Sequence, residues 1–340
     1  MNEPLSIIHG KHAKSAVEKT AKVIFTVCAF FAILAVFSIT LYMIVNGTPA
    51  IFQVGLGEIL FGTVWEPTAE EPAFGILFII LTSIVGTFLA ILIGVPIGVL
   101  TAVFLAEVAP KKLAAIVKPA VELLAGIPSV IYGLLGIMIL NPLMYKLELA
   151  IFKGSETHQF TGGANLISAV IVLAIMILPT VINISESALK AVPPQYKSAS
   201  LALGASHIQT IFKVMIPAAK SGIVTAIVLG VGRAIGEAMA ITLVSGSSVN
   251  FPLPFNSVRF LTTAIVSEMG YASGLHRQVL FTIGLVLFAF IMVINVCLTN
   301  ILKSGDPEAQ EKKRAAKLAK EAAKHAPEKS EAERKEAVSL

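Results

Sequence analysis

The sequence predicts an all-α polytopic membrane protein with six transmembrane helices. Composition is the first reason: of 340 residues, 56% are hydrophobic and 14% charged, with a mean hydropathy of +0.83. Run length is the second, because several apolar stretches exceed the roughly 20 residues that cross a hydrocarbon core of about 30 Å. The third is their texture, since a membrane β-barrel would show short segments of alternating polarity instead.

Taken in order, the candidate spans cover about 22–45, 74–106, 120–144, 165–186, 219–245 and 278–302. The first follows a basic stretch with Lys11, Lys14, Lys19 and Lys22. It outruns a signal-peptide core and lacks a small-x-small cleavage site, so it reads as an uncleaved span. The second carries Gly94-Val95-Pro96 near its middle, which predicts a kink. The third starts in the polar stretch 111–118 and contains Pro128. Pro193-Pro194 stops the fourth, the fifth holds Arg233 and Glu237, and a Lys-rich stretch follows the sixth. The chain thus divides into an N-terminal extension (1–21), a six-span membrane domain (22–302) and a charged tail (303–340).

Lys and Arg concentrate before span one, between spans two and three, between four and five, and after span six. The segment 46–73 carries Glu58, Glu66, Glu70 and Glu71 with no Lys or Arg, which puts both termini in the cytoplasm. The loop at 146–164 is mixed and Arg259 lies outside, so the rule is obeyed by majority. The same juxtamembrane placement accounts for the net charge of +5 and pI near 9.1 without nucleic acid, for which no motif is present. The tail alternates Lys, Glu and Ala with almost no apolar face. It reads as solvated, with contact to anionic membrane lipid or an ATPase surface as the functional alternative. Cys28 and Cys297 fall in apolar runs and read as small core residues.

No metal-ligand cluster, phosphate-cradling loop or nucleophile triad appears, so no cofactor is expected and ATP energy would have to come from a partner. Polar groups inside spans are costly enough to require a reason. Arg233 and Glu237 stand four apart, so one face of a continuous helix would present both. Two roles are open: mutual neutralisation within the bundle, or lining the route of a charged solute. A guanidinium offers a planar donor fork suited to an oxyanion. A carboxylate beside it would accept the proton that phosphate carries near neutral pH and sulfate lacks. In span three, Pro128 frees a carbonyl, and Ser129 and Tyr132 bring hydroxyls to the same turn, as pore-lining groups or as parts of a packing kink.

Residues 192–217 are moderately polar between two apolar runs. Ser198-Ala199-Ser200, Gly204-Ala205, Val214 and Ile216-Pro217 predict two short helices about a tight glycine turn. Such an element either lies on the bilayer surface or seats in a groove on another protein and transmits rigid-body motion.

The small-residue triplet, Gly204 and the aliphatic-Pro end resemble the "EAA" coupling loop of ABC importer permeases. Three segments resemble the phosphate-specific branch, PstC-type: Gly126-Ile-Pro-Ser-Val-Ile-Tyr-Gly133, Val192-Pro-Pro-Gln-Tyr196 leading to Ala202-Leu-Gly-Ala205, and Gly232-Arg-Ala-Ile-Gly-Glu-Ala-Met-Ala240. The resemblance covers roughly 70–302 and implies a type I importer fold working by alternating access. It also implies a PstA-like second permease, a cytoplasmic ATPase dimer, an extracytoplasmic phosphate-binding protein and a bacterial or archaeal plasma (inner) membrane. The family's transport-linked Arg and Glu fall on Arg233 and Glu237. Its coupling-loop acid falls on Ser198, which removes any salt bridge from that position to the ATPase. A permease for sulfate or molybdate is the alternative, and a stand-alone secondary transporter the more distant one.

Overall fold

The computed structural model describes residues 8–304, so the first seven residues and the charged tail from 305 onward lie outside the described residues. The described chain is mostly helical, with one small hairpin and irregular connections over 152–165 and 245–260. A long helix, α1 (Ile8–Val54), is followed by α2 (Leu56–Phe61) and the antiparallel strands β1 (Trp65–Glu66) and β2 (Ala73–Phe74). Next come α3 (Leu77–Val103), closing in a π-turn over Phe104–Val108, then α4 (Lys111–Gly126) and α5 (Ser129–Leu135). A second π-turn (Gly136–Leu140) leads into α6 (Asn141–Ile151), followed by α7 (Leu166–Lys190) and α8 (Pro194–Ala202). After α9 (His207–Thr210), a third π-turn (Ile211–Met215) and α10 (Ile216–Ala218), the chain enters α11 (Lys220–Gly236) and α12 (Met239–Val244). It ends in α13 (Leu261–Glu268) and α14 (Gly274–Ser304).

Five segments are long and apolar enough to cross a membrane: Glu18–Val54, Leu77–Val108, Ser129–Ile151, Leu166–Lys190 and Gly274–Cys297. A sixth arises if His207–Ala218 and Lys220–Gly236, bent by 69°, count as one. Two expected spans are therefore redrawn. The third begins at Ser129 rather than near 120, because the residue before a proline is driven out of helical geometry and Pro128 has no N–H to give. Ile127 and Pro128 are both extended, with ψ of 126° and 139°, so the expected bend is a full break between α4 and α5. The fifth is also broken: α11 stops at Gly236, Glu237 is extended (φ −71°, ψ 131°), and α12 restarts at Met239. The expected kink at Pro96 lies inside a helix that runs on unbroken to Val103. Cys28 and Cys297 are exposed on apolar helix surfaces rather than in a core.

The chain divides into two units, 1–80 with 260–288 and 81–259 with 289–340. In the first, α1 meets α14 where Gly47 leaves no room for a side chain, a Cβ there falling 3.0 Å from the Thr282 amide nitrogen. The Thr282 hydroxyl donates to the Gly47 carbonyl at 2.9 Å. Trp65 of the hairpin donates through Nε1 to the buried Glu268 carboxylate, which also bonds His276 Nε2 at 2.7 Å.

In the second unit, α7 is the central column, buried on most of its circumference. Gly94 and Gly98, one turn apart on α3, let that helix approach α7: Cβ atoms there would lie 2.7 Å from Ile177 and 2.8 Å from Val181. Glycine therefore serves close packing at a site the sequence suggested as a kink. On another side, α11 runs antiparallel to α7, with Gly222 against Ala188 and Gly230 against Val181.

Candidate functional site: a broken helix and a helix–turn–helix

The polar break lies where α5, α7, α11 and α12 come together in the second unit. Arg233 occupies the last turn of α11, where the carbonyl end of the helix dipole favours a cation. Its Nη1 donates to the Thr180 hydroxyl of α7 at 3.4 Å. Glu237 is buried, and its Oε1 accepts from the Ala240 amide at 3.0 Å, so the carboxylate caps the start of α12. Because the helix ends at Gly236, the two residues do not share one continuous helix face as expected. They sit instead on opposite sides of the break, each at the helix end its charge suits.

Tyr132 and Ser129 belong to α5. Tyr132 is buried, its hydroxyl donates to the Leu124 carbonyl at 2.7 Å, and it lies within electrostatic reach of Arg233. The hydroxyl thus staples α4 to α5 across the Pro128 break, adding a second donor to a carbonyl that also accepts from the Ile127 amide at 3.3 Å. Ser129 opens α5 and is partly exposed. Next to Tyr132, Gly133 lets α5 meet α12, with a Cβ there falling 3.0 Å from Ala240 Cα.

Thr180 is the residue of this site that sequence reasoning missed. The available signal was a hydroxyl directly after Pro179 in an otherwise apolar run. Glycines at 230, 232 and 236 were the local signal for the break.

The second site is the segment 192–217. Pro193 leads into α8 and Gly204 turns the chain at φ +84° with open space around it, so its backbone, not its neighbours, requires glycine. Ser206 caps α9 reciprocally with Gln209, a capping box. Ser200 and Thr210 hydroxyls meet at 3.0 Å across the turn. Ser198 and Ala199 are exposed on α8, the Ser198 hydroxyl folding back to the Gln195 carbonyl at 3.1 Å; Ala205 follows the turn and Pro217 lies exposed in α10. Ile211 and Met215 are buried with Val103, Leu189, Val192, Ala219 and Ile223, which seats the second half of the element on α3, α7 and α11. Leu203 (90% exposed), Ile208 (69%) and Phe212 (55%) are apolar side chains left exposed on the element. Two ion-paired carboxylates were also missed: Glu107 with Lys197 at 2.5 Å, and Glu186 with Lys190 at 2.5 Å and Lys118 at 3.7 Å.

Residues 94–308 match the family of binding-protein-dependent transport system inner membrane components. The chain belongs to that family and is a multi-pass membrane permease. Among its relatives, the probable ABC transporter permease protein YqgH of Bacillus subtilis is 38% identical, covering 85% of this chain and 93% of its own length. The phosphate transport system permease protein PstC of Haemophilus influenzae is 33% identical over 78% of this chain and 88% of its own. Its counterpart in Methanocaldococcus jannaschii, named as probable, is 31% identical over 80% and 90%. In fold, the chain is similar to a bacterial alginate ABC transporter chain with a TM-score of 0.58, at 15% identity, covering 86% of this chain and 96% of that one.

Proposed function

We propose that this chain is the pore-forming permease subunit of an ATP-driven ABC importer for inorganic phosphate, working by alternating access. The relatives named as phosphate permeases support the substrate class, and one observation carries it at the site: Arg233 stands at a helix break within a span, its guanidinium beside the Thr180 hydroxyl. A guanidinium fork and a hydroxyl are donors that suit an oxyanion. Broken membrane helices place helix ends and polar backbone where a solute passes. Arg233 lines the path, Glu237 shapes the break and helps discriminate, and Ser129 and Tyr132 border it.

The segment 192–217 is the coupling element, with Leu203, Ile208 and Phe212 as the face presented to the ATPase. The partners are a PstA-like second permease, a cytoplasmic ATPase dimer and an extracytoplasmic phosphate-binding protein. Both termini are cytoplasmic, the membrane is the bacterial or archaeal inner membrane, and the subunit itself performs no catalysis.

The test is labelled phosphate uptake at low micromolar concentration in cells lacking this chain, complemented with wild type, Arg233→Gln or Gly204→Asp, with excess sulfate as competitor. Rescue by wild type that sulfate leaves untouched, with both variants inactive, is expected. Absence of rescue despite expression with its partners would reject phosphate and leave the ABC permease assignment standing.

A further inference from the structure

We infer that the Lys197–Glu107 ion pair is a strut that makes the first helix of the coupling element move with the end of α3. The inference rests on reading 192–217 as the coupling element, and it assigns to Lys197 and Glu107 a positioning role in transmission.

The two helices of the element are fastened differently. The second half carries buried Ile211 and Met215, held in an apolar cluster that includes Val103. The first, α8, buries no residue at all. Its covalent ends are a proline pair and the Gly204 turn, and the Ser200–Thr210 hydroxyl contact ties it to its own partner helix rather than to a membrane span. Lys197 is the only charged residue in α8, and its Nζ reaches Glu107 Oε2 at 2.5 Å, a contact between residues 90 apart in the chain.

Burial makes this pair more than a surface ornament. The Glu107 side chain is 7% exposed and that of Lys197 33%. A carboxylate so far out of water is costly unless a cation answers it, so losing the lysine leaves a buried charge uncompensated. Glu107 lies in the π-turn that ends α3, where the Ala109 amide reaches back to the Phe104 carbonyl at 2.7 Å. Single π-turns recur at functional positions because they re-aim side chains in an otherwise regular helix. One end of α3 therefore meets both halves of the element, Val103 and Ala106 joining the apolar cluster and Glu107 bonding α8.

The mechanical consequence follows from the kind of contact. An open helix face can push on a neighbour but has nothing with which to pull. An ion pair resists separation as well as compression, so α8 displaced in either direction carries α3 with it. The residue next to Lys197 is Ser198, whose hydroxyl is turned onto its own helix and so does not share the tie that Lys197 makes.

The experiment uses the complete transporter with Lys197→Glu, Glu107→Lys and the double exchange, measuring phosphate uptake, ATP hydrolysis and ATPase retention on purification. Each single reversal is expected to keep the ATPase bound while transport per ATP falls about tenfold, within the usual range of coupling free energies. The double exchange restores most of that loss. Singles that transport like wild type, or a double as poor as the singles in an assembled complex, would overturn the strut. Should reversal block assembly, Lys197→Arg and Lys197→Met decide the matter: the pair predicts transport with arginine and loss with methionine, and equal transport by both would overturn it. Gly204→Asp separates the two levels. Intact uptake there would sink the coupling-element reading, whereas its loss alongside unaffected Lys197 variants would remove the strut alone.

Discussion

Arg233 shows how little distance separates a structural charge from a functional one. At the end of α11 it is favoured by the helix dipole, and its donor to Thr180 crosses from one membrane helix to another. A hydrogen bond to a charged group contributes about 1.5–3 kcal/mol. Thr180→Val is therefore expected to lower phosphate uptake by about tenfold or more, with the protein still present in the membrane. Glu237 allows a cleaner separation of shape from charge. Glu237→Gln keeps an oxygen for the Ala240 amide, so its thermal stability in detergent is expected to match wild type while its phosphate-over-sulfate preference shifts. Glu237→Ala removes the cap itself and is expected to cost about 1 kcal/mol in the same thermal measurement. An unchanged preference in the glutamine variant would remove the carboxylate from discrimination.

At the level of elements, glycine does two different jobs. Gly204 is required by its backbone, since φ +84° is unfavourable for side-chain-bearing residues and nothing crowds it. Gly204→Ala is expected to cost about 1 kcal/mol and to weaken uptake, whereas Gly204→Asn, which tolerates that region better, retains more of it. Gly133 is required by its neighbours: a Cβ would fall 3.0 Å from Ala240 Cα and 3.1 Å from the Ala240 carbonyl oxygen. Backbone cannot step aside as a side-chain tip can, so Gly133→Val is expected to be overpacked by about 1–3 kcal/mol, visible as reduced assembled protein. Capping divides similarly. The Ser206–Gln209 capping box is contained within four residues, while the Tyr132–Leu124 staple joins two helices that the sequence offered as one.

On the scale of the whole molecule, the proposed orientation rests on charge placement. Lysines flank the segment 192–217 and lie within 111–118, while the segment 46–73 is acidic. A single cysteine at Leu203, in a background lacking Cys28 and Cys297, is expected to react with a membrane-impermeant maleimide in inside-out vesicles and not in intact cells. Reaction from the outside would reverse the topology. Arg259, one of the exceptions to the charge rule, spends its Nε donor on the Ser247 carbonyl at 2.8 Å, which gives it a structural reason to be where it is.

Sequence alone determined that the chain crosses a membrane in five or six apolar helices, the helix–turn–helix at 192–217 and the presence of two charges, Arg233 and Glu237, between apolar segments. Those features are written in run length, proline and glycine placement, and the cost of charge in hydrocarbon, all of which are local. What only the tertiary structure decided is where helices stop and which side chains meet. Beyond the break at Gly236–Ala238 the chain packs α12 on α5 at Gly133, and Arg233 reaches Thr180 because α7 and α11 pack closely. The pairing of Lys197 with Glu107 joins positions 90 residues apart, and no local pattern encodes such a distance. Periodicity reports what one helix needs, whereas contacts between helices depend on packing that the chain expresses only once it is folded.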